Sequence, residues 1–139
     1  MREKRQKQML LSPTFRQDFD QARELSAISR ILDRHPDIFE SVHQDLSEYG
    51  PDVKATGALG MSAEQVLRAA IVKALFGYSY RQLAFHIVDS GCLRSFCLIG
   101  FGKGFKKSAL QKNINSLSGE TWEEINRVFI GHARQEKIE

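Results

Sequence analysis

"GYSYRQLAFHIVDSG", residues 77–91, decides the fold. It opens on a glycine, sets Ser79 three residues ahead of Gln82, and places Leu83, Ala84, Ile87 and Val88 at helical spacing before ending on Gly91. Serine followed three residues later by glutamine is a capping-box signature: the hydroxyl accepts from a free backbone N–H, and the glutamine amide reaches back to the cap. The stretch therefore predicts a short helix that Gly91 stops. Ser62 with Gln65, Ser108 with Gln111, and Thr121 with Glu124 repeat the signature, and Ser118 can cap that last helix a turn earlier.

Working outward, "SAEQVLRAAIVKALFG" reads as a helix burying Leu67, Ala70, Ile71, Ala74 and Leu75 and stopping at Gly77. "CLRSFCLIG" reads as a short helical turn, and "KKSALQKNINSL" buries Leu110, Ile114 and Leu117. "ETWEEINRVFIGHARQE" turns Trp122, Ile125, Phe129 and His132/Ala133 inward. Upstream, Phe19, Ala22, Leu25, Ile28 and Leu32 make one stripe; past Pro36, so do Ile38, Val42, Leu46 and Tyr49. Val and Ile fall at helical rather than alternating positions, so no strand is predicted. The expected fold is all-α, a helical bundle of about six to seven helices with an expanded helix-turn-helix-like unit. Its divisions are a basic N-terminal arm over 1–16, an acidic helical hairpin over 17–50, a glycine-rich linker over 51–61, and a helix-turn-helix-like module over 62–139.

The overall charge of +3 hides a strong asymmetry. Residues 17–53 carry a net −6, whereas residues 54–119 hold nine basic side chains against only Glu64 and Asp89, a net +7. Such a block points to a polyanionic partner, although the same charges could face the acidic segment of the chain. No apolar run reaches the roughly 18 residues of a membrane span. The basic N-terminus lacks the apolar core of a secretory signal, so a cytoplasmic location is expected. Two cysteines, Cys92 and Cys97, build no disulfide framework, and with His86 they fall short of the four ligands of a structural zinc site. His35, His43 and His132 stand isolated in the sequence.

A helix-turn-helix needs a short support helix and a second helix whose outward side chains reach base edges. "SYRQLAFHI" suits the support role, and "KKSALQKNINSL" suits the reader, although about 15 residues separate them. Arg81, Lys103, Lys106, Lys107 and Lys112 are the expected phosphate contacts, with Gln82 and Arg94 beside them; Ser108, Gln111 and Asn115 are the expected base readers. Arg2, Lys4, Arg5 and Lys7 form a candidate tail along the backbone or minor groove. "GFGKGFKKS" fails the spacing of a phosphate-binding P-loop. The acids of 17–53 spread around two amphipathic helices, and Tyr78 and Tyr80 lack an adjacent activating base, so no catalytic set is expected.

Residues 61–100, "MSAEQVLRAAIVKALFGYSYRQLAFHIVDSGCLRSFCLIG", resemble the N-terminal region of bacterial insertion-sequence transposases of the DDE class. Ser62, Leu67, Arg68, Gly77, Ser79, Tyr80, Arg81, Gln82, Leu83, Ala84, Arg94, Phe96 and Gly100 carry that resemblance, and "SALQKNINSLSGETWEEIN" extends it. Phe105, Lys106 and Lys107 stand where such proteins usually place Pro-Ser ahead of the reader helix. The resemblance implies a nucleoid-associated module that recognises the terminal inverted repeats in double-stranded DNA and can pair as a homodimer. It implies no catalysis, cofactor or small-molecule substrate for these residues. A divalent metal is expected only in a separate RNase H-like domain. The rival readings are a dimerisation module, in which the acidic hairpin and the Trp122 helix assemble subunits, and a stand-alone DNA-binding regulator.

Overall fold

The computed structural model describes residues 13–50, 61–99 and 104–138, with side-chain surroundings from 22 to 132 within those spans. The arm residues Arg2, Lys4, Arg5 and Lys7, most of the linker, Lys103, and the side chains of Phe19 and Ala133 lie outside the described residues. Among the described residues the structure is an all-α bundle of seven helices: α1 Pro13–Asp33, α2 Pro36–Tyr49, α3 Ala63–Phe76, α4 Tyr80–Asp89, α5 Gly91–Phe96, α6 Lys107–Asn115 and α7 Gly119–Ile138.

The bundle is organised around α3. Seven consecutive residues from Val66 to Val72 are buried, which is more than one helical face can hold. A helix apolar on all sides is a central one, and α2, α4 and α6 pack around it. In turn α5 bridges α1 and α4, while α7 rests on α1 and α2. Leu25, Leu32, Ile38, Val42, Leu83, Ile87, Leu110, Ile114, Leu117 and Ile125 complete the core.

Several expected features hold. Ser62 and Ser79 each close a two-way capping box with Gln65 and Gln82. Gly77 adopts the left-handed conformation (φ 67°) at the end of α3, where a side chain would be strained, and Tyr78 N–H closes the turn on Lys73 O at 3.1 Å. Pro36 starts α2, its missing N–H costing nothing in a first turn.

Others need correction. Gly91 does not stop α4: Ser90 ends that helix and its hydroxyl accepts from Leu93 N, so the next helix begins at once. Ser108 and Gln111 form no capping box, because α6 starts at Lys107 with Lys106 at the cap. There Gly104 lies against Val88, where a Cβ would overlap the valine Cγ2, and Phe105 packs on the core, so the chain enters its helix early. Ala74 and Leu75 are exposed, while beside them Phe76 stacks on Tyr78 and Tyr78 on His86. Tyr49 points to solvent, and Asp45 is buried near it. Leu98 takes the left-handed position (φ 60°) after α5, a place the sequence marks with no glycine.

Candidate nucleic-acid interface

The start of α4 and the end of α6 are held together: Tyr80 Oη donates to Asn115 Oδ1 at 2.7 Å. The other end of α4 reaches Gly104, just ahead of α6. The two helices therefore run in opposite senses, with α5 in the connection between them. Lys73, from α3, sets its ammonium 4.5 Å from the Tyr80 ring centroid. This adds a cation–π contact at the same corner. Partial burial raises the pKa of the Tyr80 hydroxyl, which keeps its proton and serves as the donor.

On this frame α6 turns Leu110 and Ile114 inward, with Leu117 just beyond its end. Lys106, Lys107, Ser108, Gln111, Lys112 and Asn115 are all exposed. No acidic residue occupies the first turn, and no side chain caps the helix. No side chain of the protein therefore takes up the N–H groups at its start, which lie beside two exposed lysines. Positive charge at the positive end of the helix dipole is locally unfavourable, and an anion placed there relieves it. Asn113, on the buried side, gives its amide to Ala109 O at 2.8 Å and takes no part in the exposed row.

The remaining expected site residues divide. Arg81 is exposed at the start of α4, in line with Phe85, which is 60% exposed. Gln82 is exposed too, but its Oε1 accepts from Ser79 N at 2.9 Å, so half of its amide belongs to the cap. Arg94 is half-buried on α5, apart from the α6 row in the chain. Lys103 lies outside the described residues. The structure thus brings Arg81 and Asn115 to one corner through Tyr80, with Lys106, Lys107, Ser108, Gln111 and Lys112 along the same helix as Asn115.

Three features escaped the sequence reading. Arg68 is buried, its guanidinium bonded to Glu64 (3.3 Å), Ser29 (2.7 Å) and Phe96 O (3.4 Å), and lies 4.9 Å from the Phe96 ring centroid. Asp45, one of the acids spread over residues 17–53, is buried and accepts from Ser118 N at 2.9 Å and Thr121 Oγ1 at 2.6 Å. The third is the bond from Tyr80 to Asn115. The two stand 35 residues apart, beyond any local spacing rule.

The cysteines and His86 do not cluster as ligands. His86 stacks on Tyr78 and meets the edge of Phe85. Cys97 is buried, and that burial pushes its thiol up to about 12, with Arg68 pulling weakly the other way. Among the described residues no three His, Cys, Asp or Glu side chains converge as a metal would require, and no helix is long and apolar enough to cross a membrane. No protein-family model matches the chain, and no curated protein or solved structure matches it.

Proposed function

We propose that this chain binds double-stranded DNA, with α6 as the reading helix and α4 as its support. The observation that carries the reading is the start of α6: an uncapped helix terminus with two exposed lysines, followed by an exposed row of Ser108, Gln111, Lys112 and Asn115. In this reading Lys106, Lys107, Lys112 and Arg81 neutralise phosphates, and Ser108, Gln111 and Asn115 meet base edges. Asn115 retains both Nδ2–H donors and one Oδ1 lone pair beyond its bond from Tyr80, enough to pair with an adenine edge. Tyr80 is then a positioning residue that fixes which way the amide points.

The narrower reading, recognition of transposon terminal inverted repeats by part of a transposase, rests on the resemblance of residues 61–100 alone. Its test is a comparison of a terminal-repeat duplex with a scrambled one. The broader reading is tested by fluorescence anisotropy of a labelled duplex across a salt series. Log affinity should fall linearly with log salt, and replacing Lys106, Lys107 or Lys112 by alanine should flatten the slope by about 0.9 for each phosphate contact removed. Affinity indifferent to salt, or no binding at low salt, overturns it.

A further inference from the structure

Two histidines distant in sequence meet where the corner between α1 and α2 touches α7. His35 Nε2 and His132 Nε2 lie 3.4 Å apart, with ring planes at 88° and centroids 5.5 Å from each other. Both rings are half-buried. The His35 corner is fixed by its own backbone: its N–H donates to Leu32 O at 3.0 Å, and its carbonyl accepts from Ile38 N at 3.1 Å. Leu32 and Ile38 are fully buried, so this corner is anchored on both sides. His132 stands two helical turns beyond the buried Ile125, on the same face of α7.

We propose that His35 and His132 form a two-imidazole site for a borderline divalent transition-metal ion, of which Zn²⁺ is the type. A tetrahedral ion bound at about 2.0–2.1 Å from each nitrogen needs those nitrogens about 3.3–3.4 Å apart. The pair already has that separation. In the metal-free pair one ring donates its Nε2–H to the other. Binding requires that this proton move to Nδ1 of the same ring through solvent. Both Nε2 lone pairs then face the ion, and a neutral pair releases no net proton. Water fills the remaining positions, because no third protein ligand joins among the described residues.

Imidazole nitrogens select zinc, nickel and copper over magnesium and calcium, which take oxygen ligands. The ion would clip the start of α2 to α7, two elements that the unfolded chain does not hold together, and so would stabilise the fold. The site is independent of the DNA-binding reading, since neither histidine belongs to α4 or α6.

The test uses the whole chain, stripped of metal with chelator and then titrated with ZnCl₂ at neutral pH. The imidazole Cε1–H resonances of His35 and His132 should shift together and saturate, while those of His43 and His86 stay in place. The melting temperature should climb with zinc concentration and not with magnesium. His35→Gln or His132→Gln should weaken zinc binding roughly a hundred-fold, since a two-point grip becomes a single imidazole; His43→Gln should leave it unchanged. Because the resonance shifts are read on the unaltered chain, a variant that fails to fold does not blunt the test. The proposal is overturned if millimolar zinc moves neither resonance, or moves all four histidines alike.

Discussion

The N-termini of α6 and α7 belong to the same bundle yet treat their backbone N–H groups in opposite ways. At α7, Ser118 caps the helix: its hydroxyl accepts from Thr121 N at 3.2 Å, and Glu120 adds an acid in the first turn. Asp45 reaches across from α2 to accept from Ser118 N and the Thr121 hydroxyl. Two of the donors there, Ser118 N–H and Thr121 N–H, are taken up by side chains of the protein, and a carboxylate matches the positive end of the helix. At α6 no side chain caps, no acid is near in the first turn, and Lys106 and Lys107 add charge of the wrong sign for the dipole. Local rules broken without internal compensation are characteristic of functional positions. The difference separates polar residues used to hold the fold from those left facing outward.

The largest effect is expected from breaking the closed terminus. Asp45→Ala leaves Ser118 N–H without its charged acceptor in a buried place and removes the partner of the Thr121 hydroxyl. Hydrogen bonds to a charged group carry about 1.5–3 kcal/mol, so the loss should be about 2–3 kcal/mol in denaturant unfolding. Duplex affinity of the folded fraction should not change. If Asp45→Ala costs less than a surface acid such as Glu48→Ala, the buried role assigned to Asp45 is wrong.

Ser118→Ala is expected to cost about 1 kcal/mol, the usual value of a serine N-cap. Its effect should shrink when Asp45 is already alanine, because the two side chains serve the same helix start. A double-mutant cycle reads that coupling directly. Strict additivity would mean that the two caps act independently and would weaken the picture of one shared network.

Much of this was legible in the sequence, for reasons of distance. The capping boxes of α3 and α4 need only a cap and a residue three positions on, so Ser62 with Gln65 and Ser79 with Gln82 could be read directly. Ser108 with Gln111 carries the same local signal, yet α6 begins earlier, since the fit of Gly104 on Val88 and the seating of Phe105 are tertiary facts. Central burial of α3 was hidden for a related reason: an arginine at 68 looks like a solvated position until Ser29, Glu64 and Phe96 are known to surround it. The exposed row on α6 followed from periodicity. The bonds Tyr80–Asn115, Asp45–Ser118 and His35–His132 did not, because pairing across the bundle leaves no periodic trace.

The smallest change separates the two termini most cleanly. Lys107 is the first residue of α6 and is exposed, so Lys107→Glu disturbs no packing. An acid in a first turn favours the helix by about 0.3–1 kcal/mol at low salt. The variant should therefore melt slightly higher than the parent, and the gain should fade as salt screens it. On the DNA-binding reading the same substitution removes a phosphate contact and adds repulsion, so duplex affinity should fall while stability rises. Opposite signs from one exposed substitution are the signature of a terminus left open for an anion rather than one merely capped poorly. A variant that is both more stable and unimpaired in binding would leave α6 as an imperfectly capped helix and move the DNA contact elsewhere. One that loses both would show that Lys107 supports the fold in a way its exposure does not reveal.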